Sequence, residues 1–319
     1  MEQLAVAFPG AEIEGDGGFL VGEGNANAVH RVPEAKHSML NLIGTGGYQS
    51  VAVASVGKTQ QVDCDGPASI NNNFTGKASI GFPAGVVIAA TWNTDLAKGF
   101  GRSIGEMADE MDVSGWYAPA MNIHRSAFAG RNFEYYSEDG FISGKMAANA
   151  ILGAAESGVY AFMKHFALND QETHRTDMLC TWSNEQAMRE IYLKPFEISV
   201  KEGKCGAVMS AFNYIGNKYA AATTELQNTV LRDEWGFRGM VLTDYFGGYG
   251  YQDADILIRN GNDFCLPPPR QPTSPRSRIP PAPPPFWPCA RRQRTSSTPP
   301  PTAAPMPARI PPERQPGRP

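Results

Sequence analysis

Residues 141–165, which read FISGKMAANAILGAAESGVYAFMKH, decide the fold class. Apolar side chains recur every three to four residues from Phe141 to Glu156, which predicts an amphipathic helix that ends at Gly158. The next residues, Val159–His165, are almost continuously apolar, which is typical of a strand buried on both faces. A helix followed at once by a buried strand indicates a β/α unit of a parallel sheet.

The same alternation of strand and helix extends over residues 58–266. Short apolar runs predict the strands Gln61–Cys64, Val86–Ala90, Trp116–Ala120, Val159–His165, Gly206–Phe212, Met240–Thr243 and Asp263–Leu266. Amphipathic stretches predict the helices Thr94–Met111, Phe141–Glu156, Asn184–Glu202, Thr224–Trp235 and Asp253–Asn260. Seven strands, with an eighth expected in the N-terminal stretch, favour an α/β fold of the (β/α)8 TIM-like barrel type, complete or incomplete, over an open doubly wound sheet.

Individual residues predict where these helices begin, end or bend. Asn93 and Ser183 can accept hydrogen bonds from the first free amides of a helix, so both are predicted N-caps. Gly158 and Gly261 are predicted to end helices, because glycine readily adopts positive φ. Pro195 has no amide proton and is predicted to kink the helix that contains it.

Composition divides the chain into three parts. Residues 1–57 are weakly patterned, with one predicted helix near Glu34–Ile43, and residues 58–266 form the predicted barrel domain. Residues 267–319 contain 20 of the 26 prolines, nine arginines and one acid, Glu313, so a disordered proline-rich tail is predicted. Such a tail suits a proline-binding partner or a basic arm, but translation in a shifted, GC-rich frame gives the same composition. We infer no function from it.

Several classes of protein are excluded by the sequence. No apolar run reaches the roughly 18 to 20 residues that span a bilayer, so no membrane partner is predicted. No secretion signal is visible, and five scattered cysteines fit neither a disulfide framework nor a zinc site, so a cytoplasmic location is predicted. No dinucleotide fingerprint or P-loop occurs, and neither a cofactor nor a metal is predicted. The first 266 residues are acidic, and no nucleic-acid partner is predicted.

Polar side chains collect where the predicted strands end. In a β/α barrel, the loops after the strands converge over one mouth, where ligands bind. Charged and amide groups at these ends are Asp63, Asp65, Asn122, His124, Arg125, Arg131, Asn132, Glu134, Lys164, His165, Asn169, Glu172, Arg175, Asn213 and Asp244, and nearby aromatic rings are Trp92, Phe133, Tyr245 and Phe246. Charged groups that bind vicinal hydroxyls, together with rings that stack on a pyranose, suit a polyhydroxylated ligand.

Nine short segments then occur in a distinctive order along the barrel region. They are DGPASI (65–70), AATWN (89–93), Pro119 with NIHR (122–125), GRNFEYYSED (130–139), KHFALNDQETHR (164–175), REIYLKPFE (189–197), VMSAFN (208–213), LRDEWGFRG (231–239) and VLTDY (241–245). Together they resemble the catalytic barrel of glycoside hydrolase family 3, the β-glucosidase group, over about residues 60–266.

The resemblance implies a function and roles for individual residues. Asp244 matches the family nucleophile, which implies hydrolysis of terminal β-D-glucosyl residues by a retaining, covalent mechanism. The residues that match those holding the hydroxyls of the first sugar are Asp65, Arg131, Lys164, His165 and Arg175. Tyr245 stands where the family usually has Trp, and is expected to stack on the sugar; Phe212 stands where some members have Tyr.

The general acid/base of the family usually comes from a second domain or a distant loop. Residues 1–57 are too few and the tail too rich in proline to form such a domain, so the barrel is expected to lack it. In-chain substitutes would be Glu134, Glu138, Asp139 or Glu172. The face that a second domain would cover is then exposed, which favours self-association into a homo-oligomer.

Three alternatives remain open at this point. The chain could be a catalytically weak or dead sugar-binding barrel that lacks its general acid/base, or it could have β-xylosidase specificity. It could also be a Schiff-base aldolase that uses Lys164. The partner favoured overall is a small β-glucoside or oligosaccharide substrate.

Overall fold

The computed structural model of the protein describes residues 47–50, 60–72, 77–245 and 253–266. These residues belong to one compact unit, Met1–Phe286. A second unit, Trp287–Pro319, lies outside the described residues. The predicted helix near Glu34–Ile43 and the predicted proline-rich tail also lie outside them.

A curled, largely parallel sheet is the centre of the described fold. The strands are β1 (Gly47–Ser50), β2 (Gln61–Asp65), β3 (Asn71–Asn72), β4 (Lys77–Ala78), β5 (Gly115–Tyr117), β6 (Tyr160–Phe166), β7 (Cys180–Thr181), β8 (Ala207–Ser210), β9 (Tyr214–Ile215), β10 (Lys218–Tyr219), β11 (Met240–Tyr245) and β12 (Phe264–Leu266). Seven of them form one sheet in the order β1-β2-β5-β6-β8-β11-β12. Neighbours pair in parallel from β2 to β12, and β1 pairs antiparallel with β2. The sheet follows chain order as in a β/α barrel, and the described part is an incomplete, half-barrel form of it.

Helices cover the sheet between successive strands. They are α1 (Gly85–Ala90), α2 (Thr94–Glu110), α3 (Gly140–Ala155), α4 (Glu185–Ala187), α5 (Lys194–Lys201) and α6 (Ala254–Arg259), with a 3-10 turn at Ala220–Ala222 and π-helical segments at Met188–Tyr192 and Glu225–Glu234. The predicted cap Asn93 is confirmed, since its side chain accepts from the Leu96 amide over 3.0 Å. At Ser183 the prediction is wrong by one residue, because Asn184 accepts from the Ala187 amide over 2.8 Å instead.

Helices α2 and α3 pack closely through two glycines. A Cβ atom on Gly101 would lie 2.0 Å from the Ala150 carbonyl oxygen, and one on Gly153 would lie 2.1 Å from the Lys98 carbonyl oxygen. Only a residue without a side chain fits at either position. The predicted helix ends at Gly158 and Gly261 are also confirmed, with φ of 78° and 112°.

The predicted strand Val86–Ala90 is wrong, because these residues form helix α1. Val86 and Val87 face solvent, whereas Ile88 and Ala89 are buried, so this apolar run covers the core on one side only. A short apolar run does not separate strand from helix by periodicity. The seventh strand of the sheet is instead β1, from the N-terminal stretch.

The predicted helix Asn184–Glu202 is interrupted, as expected from its proline. It divides into α4, the π-helical segment Met188–Tyr192 and α5. Pro195 lies in the first turn of α5, where a helix needs no amide donor. The predicted helix Thr224–Trp235 exists, but its residues Glu225–Glu234 are π-helical.

Candidate active site

The candidate site lies at the carboxyl ends of neighbouring parallel strands. Asp65 is the last residue of β2, Lys164 and His165 lie near the end of β6, and Asp244 lies near the end of β11. Parallel strands of one sheet end at the same edge, so side chains from distant parts of the sequence meet there.

A buried lysine and a carboxylate form the first pair of the site. Lys164 is 2% exposed, and its Nζ donates to Asp65 Oδ1 over 2.9 Å. The Gly66 amide donates to the same oxygen over 3.0 Å. Partial burial disfavours the charged carboxyl, but Lys164 opposes this effect most strongly, with help from Arg131 and Gly66. The balance holds the pKa of Asp65 below its ordinary value, so this group is a carboxylate.

Asp244 is buried at the end of β11, with each carboxyl oxygen in a different environment. Its Oδ1 accepts from the Tyr245 amide over 2.6 Å. Its Oδ2 lies 3.3 Å from Arg175 Nη1 and 3.7 Å from His165 Nε2. The carboxyl group is therefore held in one orientation by groups from three segments of the chain.

Arg175 is itself fixed by its neighbours. Its Nε pairs with Glu172 Oε2 over 2.8 Å, and its guanidinium carbon lies 4.7 Å from the centre of the Phe212 ring. Glu172 also lies 3.8 Å from Arg131 Nη1, and Arg131 Nε pairs with Glu134. Alternating acids and bases thus connect Glu134 to Asp244 along one side of the site.

His165 is buried between this chain of charges and the protein interior. The Asn122 side chain holds its backbone, donating to the His165 oxygen over 2.9 Å and accepting from the His165 amide over 2.8 Å. Burial lowers the pKa of His165 well below its ordinary value, and three neighbouring cations add to the effect: Arg131, Lys164 and Arg175. The imidazole is therefore neutral.

The structure brings together six of the seven predicted site residues: Asp65, Arg131, Lys164, His165, Arg175 and Asp244. The seventh, Tyr245, gives its backbone amide to Asp244, and its side chain is half-buried. Of the nearby aromatic residues, Trp92 and Phe133 are exposed, and Phe246 lies outside the described residues.

Four further side chains complete the hydrogen-bond network: Asn122, Tyr135, Asn169 and Glu172. Three of them stand among the polar residues at the strand ends, but Tyr135 is not singled out by sequence reasoning. The sequence feature that points to Tyr135 is its position in GRNFEYYSED, between Arg131 and the start of α3.

Three of the four in-chain candidates for a general acid are engaged elsewhere. Glu134 and Glu172 pair with arginines. Asp139 caps α3 by accepting from the Ile142 amide over 2.7 Å. Glu138, next to it, is exposed. The two glutamates therefore orient cations, which agrees with a structural rather than a proton-transfer role.

Neither a metal cluster nor a membrane span is found in the part of the chain that the structure describes. There, no group of three or more His, Cys, Asp or Glu side chains is placed to hold a metal ion. A helix of sufficient length and apolar character to cross a bilayer is also absent from those residues. Cys64, Cys180 and Cys205 are free thiols, and Cys180 is exposed.

A curled parallel β/α sheet with charged side chains gathered at its strand ends is the architecture of a TIM-like barrel. Residues 70–255 match the glycosyl hydrolase family 3 N-terminal domain. The chain belongs to glycosyl hydrolase family 3.

Similar proteins agree with this assignment. Beta-glucosidase A of Butyrivibrio fibrisolvens is 40% identical over 225 residues, which cover 70% of this chain and 26% of that protein. The structure of beta-glucosidase 3B from Thermotoga neapolitana in complex with glucose is 41% identical, with a TM-score of 0.65, over 69% of this chain and 31% of that one. DesR, a beta-glucosidase from Streptomyces venezuelae in complex with D-glucose, is 30% identical with a TM-score of 0.65, over 72% of this chain and 28% of that one. The chain thus spans about a quarter to a third of the length of these relatives.

Proposed function

We propose that the chain hydrolyses terminal β-D-glucosyl residues with Asp244 as the nucleophile of a retaining mechanism. The observation that carries the proposal is the buried Asp244 carboxyl at the end of β11, held by Arg175 and the Tyr245 amide. The family and its β-glucosidase members support the substrate class. The Lys164–Asp65 pair and Arg131 would hold the sugar hydroxyls beside it.

The proposed chemistry has two steps. An Asp244 carboxyl oxygen bonds to the anomeric carbon as the glycosidic C–O bond breaks, and the leaving oxygen takes a proton from a general acid. Water then attacks the same carbon and gives a proton to the conjugate base of that acid, the bond to Asp244 breaks, and the product keeps the β configuration. Arg175 and Tyr245 fix the attacking group before the sugar arrives, so little reorganisation is needed.

The sugar-binding groups are proposed to work because they are already paired and oriented. A charged group held by a partner forms directional hydrogen bonds to vicinal hydroxyls without first losing side-chain freedom. Lys164 is held by Asp65, and Arg131 by Glu134. Tyr245 is proposed to stack on the apolar face of the pyranose beside Asp244.

A fluorosugar label tests this proposal directly. The full chain is incubated with 2,4-dinitrophenyl 2-deoxy-2-fluoro-β-glucoside, which has a good leaving group and needs little acid assistance. We expect a mass increase of one fluoroglucosyl group, mapped to the peptide that contains Asp244. Asp244→Asn should remain unlabelled, whereas Asp95→Asn, on the exposed face of α2, should be labelled at the wild-type rate. A label on any other side chain, or on Asp244→Asn, contradicts the proposal.

A sugar-binding protein without turnover is the second candidate. It is favoured by one observation, that Glu134, Glu172 and Asp139 are engaged in pairs or a cap and are not free to protonate a leaving group. It predicts calorimetric binding of glucose with no label and no product.

A comparison of nitrophenyl β-glucoside with nitrophenyl β-xyloside decides between the two sugar specificities. The ion pair of Lys164 with Asp65 disfavours the aldolase alternative, because a Schiff base needs an uncharged amine.

A further inference from the structure

Tyr135 is a buried tyrosine to which the proposed mechanism gives no role. It is 1% exposed, and its Oη lies 3.3 Å from His165 Nδ1. The same oxygen lies 3.4 Å from both the backbone oxygen and Nδ2 of Asn169. Burial raises the pKa of Tyr135, so its hydroxyl keeps one proton, which it can donate either to His165 Nδ1 or to the Asn169 backbone oxygen, whereas Asn169 Nδ2 is a donor to it.

The neutral His165 ring also has one proton to place. One ring nitrogen carries it and donates, and the other accepts. His165 Nε2 lies 3.7 Å from Asp244 Oδ2. A proton on Nε2 is attracted by this carboxylate, whereas a lone pair on Nε2 is repelled by it.

Asn122 offers the competing arrangement. Its amide orientation is set by its two hydrogen bonds to the His165 backbone, so Oδ1 is the atom that lies 3.4 Å from His165 Nδ1. A proton on Nδ1 could therefore be donated to Asn122. Asn122 therefore favours a proton on Nδ1 and Asp244 favours one on Nε2, so a further hydrogen-bond partner of Nδ1 decides between the two tautomers.

We propose that Tyr135 is a positioning residue that donates its hydroxyl proton to His165 Nδ1 and so holds His165 in the tautomer protonated on Nε2. Asn169 Nδ2 then donates to the Tyr135 oxygen, and the Nε2–H of His165 points into the site beside Asp244 Oδ2. This donor is fixed before substrate binds, and it suits a hydroxyl of the sugar next to the nucleophile. The effect on catalysis rests on the proposed function, but the tautomer is a property of the resting protein.

Nitrogen NMR tests the tautomer, and labelling kinetics test its consequence. In the full chain carrying 15N-histidine, long-range proton–nitrogen correlations show which nitrogen of each imidazole is protonated, and the His165→Gln variant identifies the His165 signals. We expect Nε2–H in the wild type and a shift toward Nδ1–H in Tyr135→Phe. The same variant should be labelled by the fluoroglucoside about three- to tenfold more slowly, the effect of one hydrogen bond. The matched control is Tyr136→Phe, the neighbouring tyrosine of the apolar core, which should change neither result.

Two results overturn the inference: a wild-type His165 protonated on Nδ1, or a Tyr135→Phe protein with the wild-type tautomer. The wild-type spectrum decides the first without relying on a variant that must fold. If the fluoroglucoside labels no protein at all, the proposed function fails, and the NMR result still decides the role of Tyr135.

Discussion

Arg175 and Asp244 are 69 residues apart in the chain, yet Arg175 Nη1 lies 3.3 Å from Asp244 Oδ2. The arginine reaches over from the segment after β6, and the aspartate lies near the end of β11. Glu172 and Phe212 hold the guanidinium from two other sides. The carboxylate proposed to attack the sugar is thus oriented by a cation that is itself immobilised.

Replacing Arg175 should therefore impair the first chemical step. Arg175→Met removes a charge-assisted hydrogen bond from Asp244, and we expect fluoroglucoside labelling to slow by about 10²-fold, similar to the loss of one preorganised donor in other enzymes. Arg189→Met is the matched control, because Arg189 is a surface arginine that pairs with Glu234 over 2.7 Å. Labelling of Arg175→Met at the rate of the control would show that Arg175 does not act on the nucleophile.

The Lys164–Asp65 pair predicts a pH-dependent contribution to stability. Asp65→Asn leaves the buried Lys164 ammonium without its carboxylate, and we expect the free energy of unfolding at pH 7 to fall by about 1–2 kcal/mol. The expected loss is small because the Asp65 side chain is 42% exposed. The pKa of Asp65 is lowered by folding, so its contribution is complete above about pH 4 and is lost as the pH falls further.

Urea unfolding at pH 7 and below pH 4 measures the difference between wild type and Asp65→Asn, which should shrink at the lower pH. Asp112→Asn provides the comparison, since Asp112 pairs with Lys77 at the surface and should contribute almost nothing. A pH-independent difference for Asp65→Asn would show that the charge of Asp65 is not what stabilises the fold.

Phe212 should matter to the site beyond its packing. Phe212→Leu removes a buried ring whose centre lies 4.7 Å from the guanidinium carbon of Arg175. Phe237→Leu likewise removes a buried ring, whose centre lies 5.6 Å from the guanidinium carbon of Arg232. Both changes should cost about 1–3 kcal/mol of stability in urea unfolding. Only Phe212→Leu should slow fluoroglucoside labelling, by about three- to tenfold, because only Arg175 contacts Asp244. Equal labelling rates in the two variants would show that Phe212 contributes to packing but not to the orientation of Arg175.

Asp170 should destabilise the protein as the pH rises. Its Oδ1 accepts from the Ile123 amide over 2.7 Å, and burial raises its pKa to about 7, despite the opposing effects of this amide and Arg125. A carboxyl whose pKa is raised by folding contributes stability below about pH 4 and loses it as the pH approaches 7.

Asp170→Asn keeps the acceptor and removes the charge. We expect it to be more stable than the wild type at pH 8, by roughly 1–2 kcal/mol, with little difference at pH 4. Urea unfolding at both pH values checks this, with Asp109→Asn, on the exposed face of α2, as the control. A wild type as stable as Asp170→Asn at pH 8 would contradict the prediction.

Much of the fold could be predicted from the sequence because the signals are local. The long helices α2 and α3 and the strand β6 lie within a residue or two of their predicted bounds, since their apolar periodicity extends over many residues. The error at Val86–Ala90 concerns a run too short for its period to be read. Whether such a short apolar run forms a strand or a helix depends on how it packs against the surrounding sheet.

The sequence predicts which residues belong to the candidate site, but it does not predict which of them contact one another. The ordered motifs contain Asp65, Lys164, His165 and Asp244, which the structure places at one edge of the sheet. They did not show that Tyr135 reaches the imidazole, because a buried tyrosine in a loop looks the same in sequence whether it packs or donates.

The sequence by itself determined the parallel β/α class, the family and the kinds of side chain at the strand ends, because apolar periodicity and residue identity are properties of neighbouring residues. Only the tertiary structure decided which charges meet. Lys164 pairs with Asp65 across 99 residues of sequence, and Arg175 pairs with Asp244 across 69. Glu134 and Glu172 form ion pairs with arginines. Such pairings depend on how the sheet curls and where each loop returns, and no local pattern encodes those distances.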